Sequence, residues 1–151
     1  MIRLPRIITF LACLPSVFSQ EASPTPSPAT EEIDVSARSK ALELAGAFSN
    51  DGYKIRDGYW PGEIEPNRPL FLEVNLFAGN EYWFSAAVTP PGRKIAVSVY
   101  DESGKPMEYQ THEDTQVAAA GFVPEVSGRY FVKIDLLDGE KSQFCLLYSY
   151  K

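Results

Sequence analysis

The sequence has little of the chemistry that catalysis or metal binding requires. Histidine occurs once among 151 residues, as His112, and cysteine occurs twice, as Cys13 and Cys145. A serine hydrolase would need that histidine, yet no serine stands in the Gly-x-Ser-x-Gly elbow that exposes a nucleophile. Glu113 and Asp114 follow His112 directly, and three consecutive side chains on a polar connector point in different directions and seldom chelate one ion. We therefore predict no catalytic residue, no metal site and no enzyme.

Cofactor motifs and a basic face are missing as well. There is no phosphate-binding glycine loop before a helix, no dinucleotide fingerprint and no cysteine pair for zinc or redox work, so no cofactor is implied. The acidic segments at residues 101–104 and 135–140 lack the dense oxygen spacing of a dedicated calcium loop. With 20 acidic and 14 basic residues, the formal net charge is −6. This charge argues against nucleic acid and against electrostatic docking on anionic lipid.

Long apolar runs are also absent, and the one short run lies in residues 1–19. Two arginines precede a mostly apolar stretch at residues 7–18, and the segment contains no acid. About 12 apolar residues interrupted by Pro15 fall short of the roughly 20 that a membrane-spanning helix needs. The layout is typical of a signal peptide cleaved after Ser19. We predict export to the periplasm, the cell surface or the extracellular space, with no membrane insertion after signal cleavage.

Residues 20–32 (QEASPTPSPATEE) are rich in proline, serine, threonine and acids. Such a segment cannot bury enough apolar surface to offset the entropy of ordering, so we interpret it as a disordered tether.

A single domain is predicted over residues 33–151. It begins with one amphipathic helix at residues 34–50, where apolar residues recur at helical spacing: Ala37, Ala41, Leu44, Ala45 and Phe48.

From Tyr53 onward the apolar residues alternate with a period of two, and turn signals recur about every ten residues. This pattern predicts a mainly β fold, an immunoglobulin-like or jelly-roll antiparallel β-sandwich of about seven or eight strands preceded by one amphipathic α-helix. The turn Ala78-Gly79-Asn80 joins two alternating segments and predicts a hairpin over residues 70–88. Cys145 stands in an apolar run near the end of the chain and is predicted to be a small buried side chain.

Three segments combine glycine with aromatic residues: residues 79–84 (GNEYWF), 97–104 (VSVYDESG) and 127–132 (SGRYFV). They resemble the bacterial pre-peptidase C-terminal (PPC) domain family, whose members are small secreted β-sandwiches often appended to exported hydrolases. All three are fold motifs, because their glycines allow tight turns and their aromatic residues fill the space between sheets. The resemblance therefore implies a β-sandwich fold. A tether and a helix, rather than a peptidase, precede the module here, so the family's accessory role is not carried over.

Aromatic residues outside the buried pattern are candidate ligand contacts. Tyr59 and Trp60 lie in a turn-rich segment, and Trp83 falls on the opposite face of its strand from Tyr82 and Phe84. Flat aromatic faces stack on sugar rings or anchor a protein partner at low entropic cost. In the alternative interpretation, Trp60 closes the open end of the sandwich and Trp83 packs under the helix.

The absence of chemistry, the export signal and the sandwich pattern together predict a non-catalytic module for binding or adhesion. Its ligand would be a glycan or an extracellular surface protein, with Tyr59, Trp60 and Trp83 as the ligand contacts. The alternative is a structural subunit of a pilus-like or fimbrial surface assembly, because small exported sandwiches can oligomerise through exposed strand edges.

Overall fold

The structure, a computed structural model, describes the backbone of residues 28–151 and the side chains of residues 35–151. The predicted signal peptide at residues 1–19 and residues 20–27 of the predicted tether lie outside this part. The described chain contains one α-helix, α1 (Pro28–Ala47), a 3₁₀ turn at Ser49–Asp51 and nine strands. The strands are β1 (Lys54–Ile55), β2 (Trp60–Ile64), β3 (Leu70–Leu76), β4 (Tyr82–Thr89), β5 (Lys94–Asp101), β6 (Gln110–Asp114), β7 (Val117–Phe122), β8 (Gly128–Asp138) and β9 (Ser142–Tyr150).

The strands form two antiparallel sheets that pack face to face. In the larger sheet, β6, β7, β4 and β9 lie side by side, and both β1 and β2 pair along the remaining side of β9. The smaller sheet has the order β3-β8-β5. The predicted mainly β, antiparallel sandwich with a preceding helix is thereby confirmed. The sequence pattern predicted about seven or eight strands, fewer than the nine of the structure. Three strands have a weak signal, because β1 has two residues, β2 contains proline and glycine, and β6 is polar throughout.

The core lies between the sheets and is built by alternate residues of each strand. One side comes from the inward positions of β4, β7 and β9, and the other from those of β3, β5 and β8. Phe84 and Leu146 of the larger sheet, and Val132 and Ile134 of the smaller one, are fully buried. Because side chains alternate along a strand, the opposite phase of each sheet forms its outer face.

The predicted hairpin over residues 70–88 is wrong. Strand β3 pairs with β8, whereas β4 pairs with β7 and β9, so the two strands lie in different sheets. The connection crosses the edge of the sandwich, where the Tyr82 hydroxyl accepts hydrogen bonds from the Phe77 N–H at 3.0 Å and the Asn80 amide at 3.1 Å. Turn chemistry shows where a chain reverses, but it does not show whether the flanking strands pair with each other.

Helix α1 begins at Pro28, six residues before the predicted start, and ends at Ala47 rather than Asn50. Proline is accepted at the first helical position because no intrahelical N–H bond is formed there, and acidic residues such as Glu31 and Glu32 suit a helix N-terminus. Residues 28–32 therefore have helical backbone, although their composition placed them in the predicted tether. No helix in the described residues is long and apolar enough to cross a membrane.

Helix α1 packs on the outer face of the larger sheet. Ala37, Ala41 and Ala45 recur every four residues, so they share one side of the helix, and each is at most 1% exposed. They meet a strip of the sheet formed by Ala87, Cys145 and Leu147. The small alanine side chains allow the helix to lie close to the strands. The prediction that Cys145 is buried is confirmed, since its side chain is 0% exposed.

Candidate functional site

The outer face of the smaller sheet is open where that of the larger sheet is covered. Helix α1 contacts β9, β4, β7 and β2, which all belong to the larger sheet. On the smaller sheet, Phe71 points outward from β3 and is 55% exposed. The sandwich therefore has one outer face covered by a helix and one on which side chains reach solvent.

Three aromatic side chains stand on this open face at positions where alternation would place polar residues. Phe71 shares the outward phase of β3 with Glu73 and Asn75, and Tyr100 shares that of β5 with Ala96 and Ser98. In β8, Phe131 stands between outward-facing Arg129 and Lys133. Sequence reasoning missed these rings, although an aromatic residue in the polar phase of three strands was a signal that could have found them.

The register of the sheet brings the three rings together. Phe131 lies directly between Glu73 and Tyr100 in one row across the sheet, and Phe71 pairs with Lys133 in the next row. The Phe71 and Tyr100 rings meet edge to face, with centroids 6.1 Å apart and planes at 66°. We call Phe71, Tyr100 and Phe131, together with Lys133, the aromatic face. With the turn that follows β5, it lines a cavity of about 410 Å³.

The charged side chains of this cavity are bonded to other protein groups. The Lys133 Nζ lies 2.7 Å from the Asp135 Oδ2, and this hydrogen bond raises the pKa of Lys133 above its ordinary value. The Glu102 Oε2 lies 3.3 Å from the Arg129 Nη2. Lys133 and Glu102 of the cavity are thus each paired with an opposite charge.

The turn after β5 is held by the carboxylate of Asp101. Its Oδ1 accepts hydrogen bonds from the Ser103 hydroxyl at 2.6 Å, the Ser103 N–H at 2.9 Å and the Lys105 N–H at 2.9 Å. These bonds, the Ser103 hydroxyl first, lower the pKa of Asp101. These hydrogen bonds therefore hold the turn at residues 101–104, which forms one wall of the cavity. Among the described residues, no three histidine, cysteine, aspartate or glutamate side chains are grouped to hold a metal ion.

The structure places Trp60 and Trp83 on opposite faces of the larger sheet. Trp60 faces the core, where it is half-buried and stacks on Tyr148 with centroids 5.7 Å apart. Trp83 faces outward and stacks on Phe48, just after α1, with centroids 4.2 Å apart and planes at 8°. These positions match the alternative interpretation for Trp83 and give Trp60 a packing role. A ligand role for either residue stays a prediction.

Tyr59 is 38% exposed, and the Arg38 guanidinium of α1 lies 4.3 Å from the centroid of its ring. Tyr59 and Trp60 border a cavity of about 340 Å³ next to Glu73. The three residues predicted as ligand contacts are therefore divided between separate surfaces, and none of them belongs to the aromatic face. The ligand role of Tyr59 also stays a prediction.

Trp83 borders a cavity of about 720 Å³, beside Phe48 and Tyr53. There the Tyr53 hydroxyl donates a 2.7 Å hydrogen bond to Glu81, and the Lys151 ammonium lies 3.2 Å from the same carboxylate. The Tyr53 hydrogen bond lowers the pKa of Glu81, and burial raises the pKa of Tyr53. In this cavity Phe48 already covers one face of the Trp83 indole.

His112, Glu113 and Asp114 lie in strand β6, not on the polar connector expected from the sequence. This strand forms the edge of the larger sheet, and all five of its residues are exposed. Neighbouring residues of a strand point to opposite faces, so His112 and Glu113 diverge, as expected from their adjacency. The segment was mistaken for a connector because a strand without a buried face shows no hydrophobic alternation.

Comparison with known proteins adds little to this description. No protein-family model and no curated protein matches the chain. A solved structure described as "CBM4 structure and function" is similar with a TM-score of 0.40 and 18% sequence identity, over 71% of this chain and 83% of that chain. A likeness at this level carries no argument about function. The fold rests on the strand pairing itself, and the resemblance to the PPC family stays a prediction.

Proposed function

We propose that the chain is an exported, non-catalytic binding module that holds a glycan or an extracellular protein on its aromatic face. The observation that carries this proposal is that three outward-facing aromatic residues from adjacent strands meet on the sheet face that α1 leaves open. Phe71 is exposed, and Tyr100 and Phe131 are half-buried beside it. Aromatic side chains that cluster at the surface mark interaction sites, since they offer apolar area at low entropic cost. Export is proposed from residues 1–19.

The aromatic face has the rigidity that a binding surface needs. Phe71, Tyr100 and Phe131 all project from strands held in register by β8, which pairs along its length with both β3 and β5. The adjoining turn is fastened by the hydrogen bonds to Asp101. A surface built on paired strands keeps its geometry before the ligand arrives, which lowers the entropic cost of binding.

The chemistry of the face suits recognition rather than catalysis. The Ser103 hydroxyl donates to Asp101, an arrangement that fixes the turn and lacks the intervening base of a catalytic triad. The histidine of this chain, His112, lies in β6 at the edge of the other sheet. Lys133 is protonated and bonded to Asp135, so it is a poor nucleophile. These features support a module that binds without transforming its ligand.

Replacing Phe71 by alanine should weaken capture of the protein on arrays of glycans and bacterial surface proteins. We expect a loss of about tenfold or more, since truncating a central aromatic contact typically removes over 1 kcal/mol of binding energy. The matched control is Phe77→Ala, because Phe77 directly follows the same strand and is 61% exposed. Both variants should retain the melting temperature, since both residues are on the surface. Absence of capture on every array, or equal losses in the two variants, would contradict the proposal.

Assembly through strand edges is the second candidate function, and the edge strand β3 favours it. This seven-residue strand pairs with β8 on one side, and no described strand pairs with its other side. The opposite edge of the molecule is different, because β6 exposes Glu113 and Asp114, charges that discourage pairing. We expect the protein to remain monomeric in sedimentation velocity runs up to millimolar concentration. Concentration-dependent polymers would instead support the structural subunit.

A further inference from the structure

We infer that the aromatic face binds an uncharged glycan, an inference that rests on the proposed function and narrows its ligand. The first ground is charge. Lys133 is paired with Asp135, Glu102 with Arg129, and Asp101 accepts three hydrogen bonds from its own turn. A charged ligand would have to displace one of these partners, because each charged side chain of the cavity already has an ion-pair or hydrogen-bond partner.

The net charge of the chain also favours an uncharged ligand. Its formal net charge of −6 disfavours the approach of an anionic polymer such as a uronate or sulfated glycan. A cationic ligand would have to compete with Arg129 for Glu102 or with Lys133 for Asp135. An uncharged ligand faces neither cost.

The second ground is the mixture of rings and polar groups at the rim. A sugar ring has an apolar C–H face and an edge of hydroxyl groups, so it needs a flat apolar surface with donors and acceptors beside it. Phe71 and Phe131 supply apolar surface, and Tyr100 adds a ring with a hydroxyl. An ammonium has three N–H donors and a carboxylate several acceptor sites, so Lys133 and Asp135 can bond sugar hydroxyls while remaining paired. The face therefore matches both parts of a sugar.

The third ground is size. The cavity of about 410 Å³ falls within the roughly 300–1,000 Å³ of small-ligand sites, and eight residues line it. The aromatic face is thus of the dimension that holds a few sugar units of a polymer.

The test is affinity electrophoresis of the exported protein through gels that contain one polysaccharide each. The uncharged set is mixed-linkage β-glucan, galactomannan, arabinoxylan and dextran, and the charged set is polygalacturonate, dextran sulfate and chitosan. We expect retardation by at least one uncharged polymer, with an affinity that changes less than about twofold between about 0.05 and 0.5 M salt, since screening does not act on a neutral ligand. Tyr100→Ala should weaken that affinity about tenfold or more, whereas Tyr100→Phe should retain most of it because the ring remains.

The other outcomes separate this inference from the proposed function. Retardation by charged polymers alone, weakened by salt, would overturn the uncharged ligand and leave the binding module in place if Tyr100→Ala abolished it. No retardation by any polymer would also overturn the inference, and capture on the protein array that depends on Phe71 would then preserve the proposed function. Failure in both assays would remove both.

Discussion

Replacing Ala41 by aspartate should detach α1 from the larger sheet and expose the thiol of Cys145. Ala41 is 0% exposed and packs in the same cluster as Cys145, between the helix and the strands. A carboxylate there would be buried without a partner, which costs several kcal/mol, so the helix should leave the sheet instead. We expect a loss of about 3 kcal/mol or more in unfolding free energy. The sandwich core contains no residue of α1, so the β-sheet signal in circular dichroism should persist.

The reaction rate of Cys145 with a thiol reagent measures this detachment, in a Cys13→Ser background that leaves one thiol. We expect at least a tenfold faster reaction in Ala41→Asp. The matched control is Leu42→Asp, at the next position of the same helix, where the side chain is 38% exposed and a carboxylate stays in water. Equal rates in the two variants would show that the alanine side of α1 does not hold the helix on the sheet.

Replacing Gly121 by alanine should destabilise the protein, although alanine is ordinarily the better residue in an element of regular structure. An added Cβ would lie 2.7 Å from the Trp83 Cζ2, well inside van der Waals contact. The indole cannot tilt away without losing its 4.2 Å stack on Phe48. Overpacking of this kind costs about 1–3 kcal/mol. Urea unfolding monitored by circular dichroism would measure the loss.

The control for Gly121 is Gly46→Ala, the same chemical change in α1, where an added Cβ meets nothing within 4 Å. That variant should gain about 0.5–1 kcal/mol, because glycine is a poor helix residue. Combining Gly121→Ala with Trp83→Leu should cost less than the sum of the two single changes, since the smaller side chain removes the clash. Additive losses in the double variant would contradict the contact between Gly121 and Trp83.

The parts of the fold that were predictable from sequence are those with a local signal. Alternation identified β3, β4, β5, β8 and β9, and helical spacing identified the alanines that hold α1 on the sheet. The pairing of β3 with β8 rather than β4 was not predictable, because the choice of partner depends on contacts far apart in the chain. Strands β2 and β6 were missed since the first contains Pro61 and Gly62 and the second has no buried residue.

The candidate site was harder to predict, because exposure is a property of the assembled sandwich. Trp60 and Trp83 were predicted as ligand contacts because they are large aromatic residues. Their stacking partners, Tyr148 and Phe48, are distant in sequence, so this packing was not visible there. The outward phase of β3, β5 and β8 was visible in the sequence. Which sheet α1 would cover was not, and that choice determines whether Phe71 and its neighbours meet solvent or protein.

The position of α1 also makes the two outer sides of the domain different. Helix α1 lies on one outer side of the sandwich, and the aromatic face lies on the other side of both sheets. When the helix-covered side of the domain faces a cell surface or a larger protein, Phe71, Tyr100 and Phe131 point away from that support. Under the proposed glycan binding, many copies displayed in this way would engage one long polymer at once, so that weak individual contacts would add up to firm adhesion through avidity.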